Sequence, residues 1–228
     1  MGAARVRISG ALPGGGKGTS QAPRRRPTQS RALASSQALQ EAFVRVLLER
    51  GFEAMTVREL AGVAGVGIGT FYDYVGSKQA LAALTIHLRV KRLGQGLLEV
   101  ATACRGRPLA ELVDAVLDQQ FDALHADARA WAALFLLERQ ITDAEAYRKN
   151  YRRYVAAWAE ALALAADPPP PERLPRVARM LHVLAYGSTS QALLTQGARV
   201  DWAQLRADIG QLARTCCLFP ANAVPCKE

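Results

Sequence analysis

No run of this sequence alternates apolar and polar residues with the two-residue period of a half-buried strand, and β-branched residues are sparse. Alanine and leucine dominate instead, which favours an all-α fold. No apolar run reaches the roughly 20 residues of a membrane span, and the first residues lack the apolar core of a signal peptide. A soluble, cytoplasmic protein without a membrane partner is therefore expected. The four cysteines, Cys104, Cys216, Cys217 and Cys226, form no C-x-x-C pair and no Cys/His cluster at zinc spacing. His87, His125 and His182 are far apart along the chain. Neither a metal site nor a cofactor is indicated. A nucleophile–base constellation and a paired-carboxylate motif are missing as well, which argues against an enzyme.

Acidic residues are absent from residues 1–31, which hold seven of the 29 Lys/Arg. The formal net charge of +9 is thus mostly an amino-terminal property, since the remainder sets 22 basic against 20 acidic residues. A basic arm of this kind suits a polyanion. Residues 1–24 are rich in Gly, Ser, Pro and Arg and are expected to be disordered in isolation. Within them, Ala11 to Thr19 resembles the phosphate loop of adenylate kinases, but its first glycine is Ala11. The loop also needs a buried strand before it and a helix after it. Val6-Arg7-Ile8 is too short and too charged for that strand, and Gln21 to Pro27 cannot form that helix.

What is present is a sharply punctuated segment from Phe52 to Leu81. Thr56 followed by Glu59 reads as a capping box. Val57, Leu60, Ala61 and Ala64 recur at helical spacing, and Gly65 falls where that helix must end, a place that often needs the positive φ that glycine tolerates. Phe71 and Val75 form a second stripe, with Tyr72 off it and Tyr74 at its edge. Ser77 suits the N-cap of a further helix beginning near Lys78. Two short helices joined by a glycine-containing turn make a helix-turn-helix, whose second helix can enter the major groove of DNA. Ahead of it, a helix from about Thr28 to Arg50 buries Leu39, Ala42, Phe43, Val46 and Leu47, and Gly51 stops it.

Taken in order, several pieces resemble the DNA-binding domain of the TetR family of transcriptional regulators over roughly residues 25–85. They are Arg25 to Arg31, Gly51-Phe52, Thr56 to Ala61, Ala64 to Val66, Gly69 to Tyr74 and Ser77-Lys78. The resemblance implies three parts: a disordered basic arm (1–24), a helix-turn-helix domain (25–76) and a helical ligand-binding and dimerisation domain (77–228). It implies that Arg24, Arg25 and Arg26 reach the DNA backbone or a minor groove, consistent with the attraction of mobile arginines to a narrow groove. Thr56, Tyr72, Tyr74 and Lys78 are expected at phosphates, and Arg58, Gly67, Ile68, Gly69 and Thr70 at bases. Two departures stand out. Gly67 occupies the usual serine N-cap, and Val75 replaces an aromatic. Direct readout should be modest, because Gly67-Ile68-Gly69 offers few hydrogen-bonding side chains.

From Ser77 a long helix is expected to about Thr102, turning Leu81, Leu84, Ile86 and Leu88 inward. Up to five helices follow, over about 108–126, 127–141, 143–166, 171–196 and 201–218. In the family such a bundle binds a small molecule and forms a homodimer. Candidate pocket residues are Phe121, His125, Trp131, Phe135, Trp158, His182 and Tyr186. Tyr147, Tyr151 and Tyr154 are aromatic too, but their basic neighbours read more as a solvated face. Leu181, Leu184, Ala185, Ser188, Leu193 and Leu212 suit a dimer interface. The expected function is a homodimeric regulator, a repressor released from a near-palindromic double-stranded operator by an unknown small-molecule effector. Two alternatives stay open: a constitutive DNA-binding protein without a ligand, and a helical small-molecule carrier whose DNA-binding domain has decayed.

Overall fold

The computed structural model describes residues 27–218, with side chains for 32–217. Among the described residues there are nine α-helices and no strand. They are α1 (Pro27–Ala54), α2 (Val57–Ala64), α3 (Ile68–Val75), α4 (Lys78–Ala103), α5 (Leu109–His125), α6 (Ala128–Ile141), α7 (Ala144–Leu162), α8 (Leu174–Gln196) and α9 (Trp202–Leu218). A 3-10 turn, Gly197–Arg199, joins the last two. The all-α expectation is met.

Glycine sets the first break. Gly51 takes φ 76° and ψ 167°, so α1 is interrupted there and only a short turn continues to Ala54. The inner face of α1 is the expected one, with Leu39, Ala42, Phe43, Val46 and Leu47 all buried. On α4, Leu81 and Ile86 are buried, whereas Leu84 and Leu88 are only half-buried. Thr85 takes the inner position instead, its hydroxyl donating to the Leu81 carbonyl at 2.7 Å. That bond lets a polar side chain sit in an apolar interior at little cost.

Two later boundaries differ from the sequence reading. The α7 helix ends at Leu162, not near 166, because the chain beyond it is tied to the α4–α5 connection. Gly106 N–H donates to Leu164 O, Ala166 N–H donates to Arg107 O, and Leu109 N–H donates to Asp167 Oδ1 at 2.6 Å. The α8 helix starts at Leu174 with Pro175 in its first turn, three residues later than expected.

The apolar side chains form two cores. One gathers Phe43, Leu60, Phe71 and Leu81 from α1 to α4. The other gathers Leu97, Leu112, Val116, Trp158, Leu181 and Ile209 from α4, α5, α7, α8 and α9. Helix α6 belongs to both. Ala130, Leu134 and Leu137 lie in the first core, while Trp131 and Phe135 lie in the second. Burial of a leucine side chain stabilises by about 1.5–3 kcal/mol. Leu134 and Leu137 therefore contribute to holding α6 against the amino-terminal helices. Arg89 on α4 adds an ion pair to Asp127 at the start of α6, at 2.8 Å.

Candidate nucleic-acid interface and ligand cavity

Thr56 caps α2 by accepting a hydrogen bond from the Glu59 N–H at 3.2 Å. The reciprocal half of the capping box is absent, because the Glu59 carboxylate instead pairs with Arg50 at 2.8 Å. Gly65 closes α2 in the left-handed region, φ 68° and ψ 28°, and the next N–H, on Val66, reaches back to the Ala61 carbonyl. Helix α3 begins after Gly67, which has no side chain to cap it. Ser77 Oγ accepts from the Ala80 N–H at 3.0 Å and starts α4.

The outer face of α2–α3 is set by these turns. Phe71 is buried and meets Tyr72 edge-on at 5.5 Å. Ile68, Tyr72 and Tyr74 stay 44%, 54% and 39% exposed, too much for core aromatics or core aliphatics. Arg58, Gly67 and Gly69 are exposed, and Thr70 is half-buried at the same end of α3. Arg24, Arg25 and Arg26 lie outside the described residues.

Lys78 is placed differently from the sequence expectation. Its Nζ donates to three carbonyls at the end of α1, those of Phe52 at 3.0 Å, Glu53 at 3.2 Å and Met55 at 3.3 Å. It also lies 4.8 Å from the centre of the Phe52 ring. An ammonium has three protons, and here all three face carbonyls that the break at Gly51 leaves without helical partners. Lys78 is therefore a tie between α4 and α1, not an open phosphate donor. Of the other cations in residues 32–87, Arg45 pairs with Glu49 and Arg50 with Glu59. Besides Lys78, whose partners are carbonyls, Arg58 is the one cation of this segment that makes no ion pair among the described residues.

Between α4, α5, α6, α7 and α8 lies a cavity of about 60 Å³. Trp131, Phe135, His182 and Tyr186 are in its wall, as are Tyr147, Tyr151 and Tyr154. The three α7 tyrosines recur at i, i+4 and i+7, the spacing of one helix face. That spacing could have marked them as an inner stripe, with Arg148, Lys149, Arg152 and Arg153 on the outside. Phe121, His125 and Trp158 are elsewhere. Phe121 is in the bundle core with the Arg206 guanidinium 5.7 Å away. His125 stacks on Trp202 at 5.1 Å, and Trp158 is fully buried. They sit on faces turned toward α9 and the core, which aromatic content alone does not reveal.

The cavity surface is mostly apolar, with polar groups from Gln120, Glu138, Asn150, His182, Thr189 and the tyrosines. His182 lies parallel to Tyr154 at 5.4 Å and to Tyr186 at 5.8 Å, with Tyr151 edge-on at 5.3 Å. Burial pushes its imidazole down to about 4, so the ring is neutral at pH 7. Glu138, which the sequence reading missed, is 6% exposed and accepts a hydrogen bond from the Tyr186 hydroxyl at 3.3 Å. Burial raises its carboxyl above the ordinary range, against smaller lowering effects of that bond and of Arg139. Desolvation likewise raises the Tyr154 and Tyr186 hydroxyls. The Tyr154 hydroxyl donates to the Val90 carbonyl of α4.

Of the expected interface residues, Leu181, Ala185 and Leu193 are buried within this chain's own core, and Ala185 also lines the cavity. Leu184 and Ser188 are half-buried. Leu212 is 52% exposed, and Val183, which precedes Leu184 in α8, is exposed as well.

Residues 40–84 match the family model described as bacterial regulatory proteins, tetR family. No curated protein matches the chain. Solved structures do. A transcriptional regulator from Rhodococcus sp. Rha1 is 24% identical with a TM-score of 0.63, covering 84% of this chain and 100% of its own. A TetR-family regulator from Streptomyces coelicolor is 20% identical with a TM-score of 0.56, covering 80% and 96%. Thermus thermophilus FadR, a TetR-family repressor in complex with lauroyl-CoA, is 20% identical with a TM-score of 0.58, covering 83% and 98%. Residues 40–84 thus match the amino-terminal domain of the tetR family, and the described helices share the fold of solved TetR-family regulators.

Proposed function

We propose that this chain is a sequence-specific, DNA-binding transcriptional repressor that acts in the cytoplasm as a homodimer and leaves its operator when a small molecule occupies the α4–α8 cavity. The observation that carries the reading is the double membership of α6. Its Ala130, Leu134 and Leu137 pack into the helix-turn-helix core, and its Trp131, Phe135 and Glu138 wall the cavity. Occupancy of the cavity therefore acts on a helix that the DNA-binding domain rests on. The cavity supports a ligand-driven change. At about 60 Å³ it has room for a few waters, whereas a drug-sized ligand needs about 300 Å³ or more. A ligand that enters must spread the walls, and so favours a conformation other than this one. Such differential affinity is what a switch requires. The FadR relative, which has the same fold and is bound to lauroyl-CoA, supports ligand binding in general.

On the DNA, Arg58, Ile68, Gly69 and Thr70 meet base edges, with the Gly67 backbone at the entrance of the recognition helix. The Tyr72 and Tyr74 hydroxyls and the N-terminus of α2 at Thr56 meet phosphates. Arg24, Arg25 and Arg26 extend the contact along the backbone or into a minor groove. Two copies joined through the outer face of α8 and α9, using Val183, Leu184, Ser188 and Leu212, would present two recognition helices to successive major grooves of a near-palindrome. The test is selection of random duplex DNA by the purified chain, followed by sequencing. An enriched palindrome is expected. No enrichment at moderate salt would remove the sequence-specific reading and leave a ligand carrier as its replacement.

A further inference from the structure

Glu138 is the one carboxylate buried in the interior among the described residues. A buried charge is costly unless it is paired, yet no cation lies within ion-pair distance of Glu138 among the described residues. Arg139, its neighbour in α6, makes no ion pair with it: the guanidinium donates to Phe135 O at 2.8 Å and Ser190 Oγ at 3.3 Å, and its charge acts on Glu138 only at longer range. Among the described residues, the one hydrogen bond the carboxylate receives is the 3.3 Å contact from Tyr186. In front of it is the cavity, walled by the rings of Trp131, Phe135, Tyr151 and Tyr154. His182 is stacked among the tyrosines and brings no positive charge. The cavity thus combines one formal negative charge with several aromatic faces, whose quadrupoles also attract cations.

We propose that the effector is a lipophilic organic cation, a quaternary or protonated amine whose charge settles against Glu138 while its apolar groups spread over the aromatic walls. This rests on the ligand-gated reading above. One feature favours the opposite sign. Lys91 and Arg153 flank His87 in an adjoining cleft between α4 and α7, with Lys149 close by. Those three cations are exposed, and water screens an exposed charge several-fold more than a buried one at equal distance. Glu138 therefore dominates inside the cavity.

The test is titration of the full-length chain, without DNA, with benzyltrimethylammonium, with its uncharged carbon analogue neopentylbenzene, and with laurate. Tryptophan fluorescence, to which the cavity-lining Trp131 contributes, and calorimetry are the readouts. The wild-type chain is expected to bind the ammonium at least about tenfold more tightly than the neutral analogue. Glu138→Gln should abolish that preference without lowering the melting temperature. The comparison of charged and neutral probes on the wild-type chain stands even if the variant fails to fold. Equal binding of the two probes, no binding of the ammonium at millimolar concentration, or laurate binding lost in Lys149→Ala/Arg153→Ala would overturn the inference. A separate DNA-release assay keeps the two readings distinguishable. Ammonium binding at Glu138 without release sinks the gating role and leaves the ligand class standing; release by laurate alone does the reverse.

Discussion

At the scale of single residues, the contrast between Lys78 and Arg58 carries the clearest predictions. Both are cations in the helix-turn-helix segment, yet one holds the fold and the other faces outward. Lys78→Met keeps the aliphatic stem but removes three charge-assisted donors from carbonyls at the end of α1. We expect a loss of about 1–3 kcal/mol in urea unfolding, with the salt slope of DNA binding unchanged; a slope reduced by one unit would return Lys78 to the phosphates. Arg58→Ala should leave stability intact and relax preference at one operator position, at a cost of about 1–3 kcal/mol if it reads a base. Tyr72→Phe should weaken all sequences equally, because a phosphate contact carries no base information. His182 predicts a pH dependence. Its folded value of about 4 lies below the unfolded 6.5, so the unfolded chain binds the extra proton between those limits. Stability contributed by the neutral ring is fully present above pH 6.5 and is lost as pH falls toward 4, by up to about 3 kcal/mol. Glu138, whose value is raised, works in the opposite sense. Comparing the wild type with His182→Phe across that range isolates the histidine: the variant should lose stability less steeply on acidification.

At the scale of elements, α4 contains a glycine whose replacement is informative. A Cβ at Gly94 would lie 3.6 Å from the Tyr154 ring, an ordinary contact, and Gly94 is inside a helix. Gly94→Ala should therefore raise stability by about 0.5–1 kcal/mol in thermal or urea unfolding. A fall would mean that α4 needs the glycine to bend. Much of this level was legible beforehand. Thr56, Gly65 and Ser77 mark helix ends because their chemistry is local, and the apolar stripe of α1 is a periodicity. What was not legible depends on distant partners. Glu59 abandons its capping role because Arg50 is within reach, α7 stops early because Asp167 is drawn to the Leu109 N–H, and Lys78 finds carbonyls 23 to 26 residues away. The cavity was half legible. The α7 tyrosines share a face, but basic neighbours masked them, and nothing local distinguishes the buried Glu138 from a surface acid.

At the scale of the whole molecule, charge and symmetry are the testable quantities. The helix-turn-helix segment leaves Arg58 as its unpaired cation among the described residues, so the arginines before residue 32 should supply most of the electrostatic binding. Deleting residues 1–26 should lower the slope of log K against log salt, by roughly 0.9 for each phosphate contact removed. An unchanged slope would show that the arm is idle. Val183→Glu with Leu212→Glu should yield a monomer by analytical ultracentrifugation and weaken operator binding; a surviving dimer would place the interface elsewhere.

The tie at Lys78 has a mechanical consequence. On the proposed DNA-binding reading, the grip of the first residue of α4 on the end of α1 resists pivoting at that junction, so α4 would act as a lever with the reading head at its tip. At 1.5 Å per residue, Lys78 is roughly 24 Å along the axis from Gly94. A tilt of about 5° with Gly94 as fulcrum would swing the head by about 2 Å, and in a two-fold dimer both heads swing. On that reading, an adjustment no larger than the turning of a ring in the cavity wall would be geared up to a displacement that matters for fitting two major grooves at once.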